Sequence, residues 1–150
     1  MKTTIKGNLI HFAKQGYFDL IIHGQNCKHG WKKGIAHTIG LNFPEAKKSD
    51  LNTPYGDKKK LGSYSYASVT LESGKQLIII NAYTQFNYGQ GNHLNLNALR
   101  SCFEKIKNDF PNLHYAYPKI GAGLAGGNWK DINSVIEDVF SQQKHTLVVF

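Results

Sequence analysis

A glycine-rich segment near the end of the chain has the composition of an anion-binding turn. Its sequence is Gly121-Ala122-Gly123-Leu124-Ala125-Gly126-Gly127, and the next residue, Asn128, can cap a helix. Glycine lets the oxygens of a ligand approach the backbone, and the first turn of a helix offers unpaired N–H groups with a partial positive charge. The segment therefore predicts a phosphate site that is built mostly from backbone atoms.

Two well-known kinds of phosphate-binding turn are excluded by the residues around this segment. Gly121, Gly123 and Gly126 match the dinucleotide fingerprint G-x-G-x-x-G, but only one helix and one strand follow, and no acidic residue ends that strand. A Walker A loop would need Gly-Lys-Ser or Gly-Lys-Thr, which does not follow here. An ordinary glycine-rich connection between a strand and a helix stays open as the alternative.

A second polar segment, residues 24–34, brings together two side chains that could move protons. His29 lies inside it and His23 directly precedes it, and histidine changes its charge near neutral pH. His23 ends an apolar run, so a structural role suits it better, whereas His29 is freer to reach a substrate. Cys27 lacks the C-x-x-x-x-x-R loop of cysteine phosphatases, so we expect it to be a small buried side chain.

Seven histidines in one chain raise the question of a metal site. They form no H-x-x-x-H pair, and no carboxylate-rich cluster accompanies them. We therefore predict no metal site and no cofactor.

Apolar runs and helical stripes alternate along the chain and predict an α/β fold. A tight turn at Glu72-Ser73-Gly74-Lys75 predicts a hairpin and therefore a mixed sheet. We expect a single domain over residues 1–150, a three-layer α/β/α sandwich with a mixed central sheet. Strands are expected at 3–6, 18–23, 64–71, 76–81, 114–118 and 146–150, and helices at 35–43, 99–110 and 129–140.

Three loops follow the carboxyl ends of apolar strands, after His23, Asn81 and Pro118, and all three carry glycine or polar side chains. In α/β folds, ligands bind where such loops meet. A purely structural connection would seldom need these residue types in all three loops. The sequence therefore predicts one ligand site at this edge of the sheet.

The formal net charge of +8 predicts an anionic partner, such as a nucleotide, a nucleic acid or another phosphorylated ligand. For the run Lys58, Lys59 and Lys60 a solvated surface is the simpler interpretation. The charge leaves nucleic acid open as a partner, although no recognised RNA-binding signature is present. Such binding would use lysines and aromatic side chains, namely Lys28, Trp31, Lys32, Lys33, Tyr83 and Phe86.

The cysteines and apolar segments predict the redox state and the compartment of the protein. Two cysteines are too few for a disulfide scaffold, and no stretch approaches the length of a membrane span. The first residues lack the apolar core of a secretion signal. We expect a reduced, cytoplasmic, monomeric protein with no membrane partner.

Several segments together resemble the macrodomains, a family that binds ADP-ribose. The patterns His-x-x-Asn-Cys and Trp-x-x-Gly-Ile-Ala are similar to the branch that contains the yeast-type ADP-ribose 1''-phosphate phosphatase. The resemblance covers nearly the whole chain. Its segments are Ile5-Lys6-Gly7-Asn8-Leu9, Leu20-Ile21-Ile22-His23 with Gln25-Asn26-Cys27, Trp31-Lys32-Lys33-Gly34-Ile35-Ala36, and Ile120-Gly121-Ala122-Gly123-Leu124-Ala125-Gly126.

The resemblance implies the macrodomain fold and a function for each matching position. Asn8, beside Leu9, would bind the adenine amino group, and Phe150 would pack either on the adenine or in the core. Asn26 would orient the distal ribose. The backbone of Gly34, Ile35 and Ala36 would close over that ribose, and Gly121, Ala122, Gly123, Leu124, Ala125 and Gly126 would hold the diphosphate. Thr84 and Gln85 complete the expected ligand contacts, and Asn26, His23 and His29 are the candidates for catalysis.

The activity that the resemblance implies is hydrolysis of ADP-ribose 1''-phosphate to ADP-ribose and phosphate, so both nucleotides are expected partners. A reader of ADP-ribose without turnover is the alternative, as is a hydrolase that removes ADP-ribose from modified protein or nucleic acid. Two departures from the family matter. Lys32-Lys33-Gly34 stands where consecutive glycines are common. Gln85 and Ala125 replace the lysine and aspartate of the terminal ADP-ribose glycohydrolase, so covalent attack by lysine is unsupported.

Overall fold

The computed structural model describes residues 2–89, 91, 94–123 and 126–150. Within them, six strands form one sheet in the order β1-β6-β5-β2-β4-β3. Neighbouring strands are parallel except β3 and β4, which form the expected antiparallel hairpin, so the mixed sheet is confirmed. The strands are β1 (Lys2–Lys6), β2 (Leu20–Gln25), β3 (Tyr64–Thr70), β4 (Gln76–Tyr83), β5 (Tyr115–Tyr117) and β6 (His145–Val149).

Helices cover both faces of the sheet and complete the predicted three layers. They are α1 (Leu9–Lys14), α2 (Gly34–Asn42), α3 (Pro44–Leu51), α4 (Leu96–Asp109) and α5 (Trp129–Val139). Residues of α1, α2 and α3 share one hydrophobic cluster with one face of the sheet, and α4 and α5 share a second cluster with the other face. The division follows from strand alternation, since Ile21 belongs to the first cluster and its neighbours Leu20 and Ile22 to the second.

Two helices in this structure were not predicted from the sequence. α1 has only six residues, and it forms because Leu9, Ile10 and Ala13 are buried and Asn8 caps its first turn. α3 begins at Pro44, which we expected only to end the preceding helix. Proline suits the first turn of a helix, where its missing N–H is not needed.

The three loops that were expected to meet do so. Strands β5, β2 and β4 are neighbours and run parallel, so their carboxyl ends reach the same edge of the sheet. This arrangement places the loops after β2, β4 and β5 side by side. Among the described residues, no helix is long and apolar enough to cross a membrane.

Candidate functional site

Two adjoining cavities lie at this edge of the sheet. Cavity A has a volume of about 600 Å³ and is lined by residues 24–26, 28–36, 85, 88–89, 118–121 and 123. Cavity B has a volume of about 630 Å³ and is lined by residues 7–10, 34–35, 38, 118–119 and 148–150. Because both contain Gly34, Ile35, Pro118 and Lys119 in their walls, they form one elongated cleft.

The start of α2 opens into cavity A. Gly34, Ile35 and Ala36 all line it, and Lys33, which precedes the helix, makes no side-chain capping bond. The first backbone N–H groups of a helix lack partners within the helix and favour a negative charge. Gly34 adopts φ of 66°, a conformation that favours glycine.

α2 lines the cleft with its first turn, whereas α5 was the helix expected at the anion site. The phosphate site was expected at the start of α5, where Asn128 Oδ1 caps the helix by accepting a hydrogen bond from Lys130 N at 2.9 Å. Residues 126–130 are not among the described residues that line either cavity. The start of α2 lines cavity A with Gly34, Ile35 and Ala36, the residues that the resemblance assigned to the distal ribose.

Positive charge concentrates around cavity A. Lys28, Lys32, Lys33 and Lys119 line it, and no aspartate or glutamate is found among the described lining residues of either cavity. Four ammonium groups without a carboxylate create a positive potential that attracts an anion. The cavity is therefore suited to phosphate groups.

The glycines of the turn after β5 have separate functions. Gly121 has φ of 74°, and a Cβ there would lie 2.5 Å from Leu94 Cδ1. Gly127 donates its N–H to the Gly121 carbonyl at 2.7 Å. Gly123 has open space where a Cβ would stand and lines cavity A. The fold thus requires glycine at 121, while the ligand space requires a small residue at 123.

Asn26 organises the loop after β2. Its Oδ1 accepts the N–H groups of Lys28 and Gly30 at 2.9 and 3.0 Å, and its Nδ2 donates to the Gly30 carbonyl at 3.1 Å. Gln25 Nε2 donates to the same carbonyl at 2.9 Å. Asn26 is 6% exposed, so most of its hydrogen-bonding capacity holds the loop. The side chain lines cavity A from within this network.

His29 occupies the bend that Asn26 holds. Its φ of 54° is unusual for a residue other than glycine, and the bonds to Lys28 and Gly30 on either side support it. His29 Nε2 donates to the Thr53 carbonyl at 2.9 Å, since a carbonyl can only accept. In the neutral ring, Nδ1 is then the acceptor nitrogen. His29 lines cavity A.

A buried polar network supports the wall of cavity A. Trp31 Nε1 donates to Asp50 Oδ2 at 2.7 Å, and the Tyr83 hydroxyl donates to Asp50 Oδ1 at 2.6 Å. Asp50 is fully buried on α3. Burial and the hydrogen bond to Asp50 raise the pKa of Tyr83. The network ties the cleft-lining Trp31 to α3 and β4.

The burial of Lys60 contradicts the expectation that all three lysines of the run Lys58 to Lys60 are solvated. Its side chain is buried, and its Nζ donates to Thr53 Oγ1 at 2.8 Å and to the Pro54 carbonyl at 2.9 Å. The ammonium also lies 4.8 Å from the centre of the Tyr83 ring. Lys58 and Lys59 are exposed, as expected.

Several known proteins are similar to this chain in sequence or in fold. The chain is 33% identical to an uncharacterized 17.5 kDa protein from the tk-vs intergenic region of Enterobacteria phage T4, over 97% of this chain and 93% of the phage protein. It is 24% identical to the ADP-ribose 1''-phosphate phosphatase of Saccharomyces cerevisiae, over 97% and 96% of the two chains. The structure of the DarG macrodomain of Mycobacterium tuberculosis superposes with a TM-score of 0.75 at 18% identity, over 100% of this chain and 98% of that one. The chain has the macrodomain fold.

The macrodomain belongs to the same family as the phage protein. No model of a protein family matches it. A further similar structure is Thermosipho africanus DarTG in complex with ADP-ribose, with a TM-score of 0.76 and 15% identity over 99% of this chain and 41% of that one.

Two of the three catalytic candidates, His23 and Asn26, are buried in this macrodomain. His23 is fully buried, and its Nε2 lies 2.7 Å from Asn81 Oδ1. Burial lowers its pKa to about 4, so its ring is neutral at physiological pH. His23 is not among the described residues that line the cleft. Cys27 is buried as expected, and burial raises the pKa of its thiol.

The expected ligand contacts of the macrodomain divide into three groups. Those that line the cleft are Asn8, Leu9, Asn26, Gly34, Ile35, Ala36, Gln85, Gly121, Gly123 and Phe150. Thr84 is fully buried, and neither it nor Ala122 nor Gly126 is among the described lining residues. Leu124 and Ala125 lie outside the described residues. Phe150 is 90% exposed, so its ring is not part of the core.

Sequence reasoning missed several residues of the site. Lys119 lies in both cavities, and its position directly after Pro118 at a strand end was the available signal. Tyr88 lines cavity A and is 58% exposed. Asp50 carried no local signal, because its partners Trp31 and Tyr83 are distant in sequence. Of the three aromatic side chains proposed for RNA contact, Trp31 and Tyr83 are buried and cannot stack on bases, and Phe86 is partly buried.

Proposed function

We propose that this macrodomain binds ADP-ribose along the cleft and hydrolyses ADP-ribose 1''-phosphate to ADP-ribose and phosphate. One observation carries the proposal. A lysine-lined cavity without a described carboxylate adjoins a cavity that presents the exposed ring of Phe150 and the amide of Asn8. This pairing fits a ligand that has a base at one end and phosphate groups at the other.

The chemistry of each wall supports one orientation of the ligand in this proposal. The adenine lies in cavity B against Phe150, because an aromatic ring binds the face of a base. The diphosphate crosses the shared wall at Lys119 and runs along Gly121 and Gly123. The distal ribose and its 1''-phosphate enter cavity A, where the start of α2 and Lys33 stabilise the negative charge.

Hydrolysis needs a water, a group that accepts its proton and charge that stabilises the phosphoryl group. His29 Nδ1 supplies the acceptor, because its Nε2–H is held by the Thr53 carbonyl. The water oxygen bonds to phosphorus while the bond from phosphorus to the ribose oxygen breaks. The sugar oxygen takes up a proton from solvent and leaves as the 1''-hydroxyl, and the protonated His29 returns its proton to solvent. The lysines around the site stabilise the phosphoryl charge. Asn26 positions His29 through the loop.

Two relatives support the proposal. The yeast protein is named as an ADP-ribose 1''-phosphate phosphatase and aligns over nearly its whole length. The Thermosipho protein was solved in complex with ADP-ribose. Cleavage of a glycosidic bond usually uses a pair of carboxylates, and none is found among the described lining residues. The cleft is therefore better suited to phosphate release than to glycoside hydrolysis.

The test combines calorimetric titration with ADP-ribose and measurement of phosphate released from ADP-ribose 1''-phosphate. Both binding and phosphate release are expected. When the reaction is run in ¹⁸O-labelled water, the label should enter the phosphate, since the water attacks phosphorus. Binding without release would leave a reader of ADP-ribose, label in the sugar would overturn attack at phosphorus, and absence of binding would overturn the proposal as a whole.

His29→Asn is expected to lower kcat by about a hundredfold or more, the usual contribution of a general base, while the Kd of ADP-ribose changes little. Asparagine tolerates the positive φ at this position, so the loop keeps its shape. His11→Asn is the matched control, because His11 is exposed on α1 and lines neither cavity. Equal kcat values for the two variants would remove His29 from the mechanism.

A further inference from the structure

Two tyrosines near the mouth of cavity A are more exposed than any other described tyrosine. Tyr55 is 65% exposed and Tyr88 is 58% exposed, and Tyr88 also lines cavity A. An exposed aromatic ring offers a flat apolar surface on which the face of a base can stack. The proposed path of ADP-ribose uses neither ring.

Hydrogen bonds join the chain segments that carry these rings into one surface. The Cys27 N–H donates to the Phe86 carbonyl at 3.0 Å, and the Gly56 N–H donates to the Cys27 carbonyl at 2.7 Å. The loop after β2 therefore lies between the segments 53–59 and 85–88.

The rings follow one another toward cavity A. The centre of the Tyr55 ring lies 5.5 Å from the centre of the His29 ring. Tyr88 packs against Gly30, the residue after His29, so closely that a Cβ on Gly30 would lie 3.1 Å from Tyr88 Cδ2. Because His29 and Tyr88 line cavity A, a strand stacked on these rings would reach the mouth of the cavity.

Lysines accompany the rings on this surface. Lys28 Nζ lies 5.0 Å and Lys58 Nζ lies 5.5 Å from the centre of the Phe86 ring, so both ammonium groups lie against one ring. Lys59 is exposed next to Lys58. The acidic side chain of these described segments is Asp57, whose Oδ1 accepts a hydrogen bond from Lys59 N at 2.9 Å. Three ammonium groups beside one carboxylate leave a positive surface that attracts phosphates.

Rings and ammonium groups together favour one kind of occupant. Single-stranded nucleic acid offers base faces that stack on aromatic rings and phosphates that pair with lysines. A duplex keeps its base faces stacked on one another, and an acidic peptide would use the ammonium groups and leave the rings without a partner. The surface therefore fits a single strand better than either.

We propose that a surface beside cavity A binds single-stranded nucleic acid. This aromatic and basic surface consists of Lys28, Tyr55, Lys58, Lys59, Phe86 and Tyr88. Stacking and phosphate contacts hold the strand, so its binding does not depend on base sequence. The surface extends beyond the cleft of the proposed function, and its exposed tyrosines take the part that the sequence assigned to the buried Trp31 and Tyr83.

The test is fluorescence anisotropy with a labelled RNA of about 12 nucleotides, made of cytidine and uridine so that no purine can enter cavity B. Binding is expected, and log Kd should rise with log salt concentration with a slope of about 2, from about 0.7 for each ammonium group. Tyr55→Ala should raise the Kd about tenfold at fixed salt and leave the slope unchanged, because it removes a stacking ring and no charge. Lys58→Gln should lower the slope by about 0.7.

Tyr17→Ala and Lys144→Gln are the matched controls. Tyr17 is 55% exposed and precedes β2, and the exposed Lys144 directly precedes β6, so both lie toward the opposite edge of the sheet from the cleft. Both variants should bind the RNA like the wild type. Tyr55 and Lys58 line neither cavity, so their variants should keep the wild-type Kd of ADP-ribose. Thermal unfolding checks the folded state of all four variants.

Absence of RNA binding, or equal effects of Tyr55→Ala and Tyr17→Ala, would overturn the inference. Equally tight binding of the matching duplex would also overturn it, because a duplex cannot stack on the rings. Equally tight binding of an oligoglutamate peptide would overturn it in favour of an acidic partner. ADP-ribose binding is measured separately by calorimetry, so each of these outcomes leaves the proposed function intact.

Discussion

At the scale of single residues, glycines that look alike in the sequence differ in what they contribute. Gly121 and Gly123 both line cavity A, two positions apart. Only Gly121 has a positive φ and a crowded Cβ position, against Leu94. Substitution can therefore separate the fold from the ligand site.

Gly121→Ala is expected to lower the free energy of unfolding by about 1–3 kcal/mol, because the new Cβ meets Leu94 in a strained backbone conformation. Gly123→Ala should change it by less than about 0.5 kcal/mol, because its Cβ enters open space. The same Cβ points toward the ligand path, and it should weaken ADP-ribose binding by about tenfold. Urea denaturation and calorimetry measure the two effects, and equal stability losses would contradict the assignment.

At the scale of elements, the cleft depends on how α3 is tied to the segment before α2. Asp50 accepts hydrogen bonds from Trp31 and Tyr83, and both partners are buried with it. Trp31 lies only three positions before Gly34, where α2 begins. The network therefore fixes the approach to the helix start that faces cavity A.

Asp50→Asn is expected to lower the free energy of unfolding by about 1–3 kcal/mol, because one carboxylate oxygen becomes an NH₂ group that faces a donor. The Kd of ADP-ribose should rise as well, since the start of α2 loses its anchor. Urea denaturation and calorimetry test both effects. Asp138→Asn is the control, because Asp138 pairs with Arg100 at an exposed site and its loss should cost less than about 1 kcal/mol. Similar losses in the two variants would contradict the importance of the network.

At the scale of the whole molecule, buried histidines make stability depend on pH. His23 and His145 are both buried, and burial lowers the pKa of each to about 4. In the unfolded chain such side chains take up a proton near pH 6.5. The folded state therefore binds fewer protons than the unfolded state between these two values, so stability is complete above about pH 6.5 and falls as the pH drops toward 4.

The melting temperature is expected to fall steadily between pH 6.5 and pH 4. His23→Gln should flatten that fall, because it removes one titrating group while a side-chain amide can still donate to Asn81 Oδ1. His11→Gln, at an exposed position, should leave the pH profile unchanged. Thermal unfolding across this pH range measures all three proteins, and a parallel decline in wild type and His23→Gln would exclude His23 as a cause.

Much of the fold was determined by the sequence alone, because the signals were local. Continuous apolar runs identified the strands, the turn at 72–75 identified the hairpin, and the stripes of α4 and α5 identified the helices of one layer. Since the carboxyl ends of parallel strands share one edge, the meeting of three polar loops also followed from the sequence. The glycine turn was correctly expected at that edge, with Gly121 and Gly123 in the cleft wall.

Only the tertiary structure decided how those loops are used. It left the start of α5 outside the described lining of both cavities, directed the Asn26 side chain into its own loop, and buried Lys60 beside Tyr83. It also formed α1 and α3, whose short sequences carry little helical signal of their own. The burial of Lys60 and the formation of α1 and α3 depend on contacts with residues that are distant along the chain, whereas periodicity and residue type report only on near neighbours.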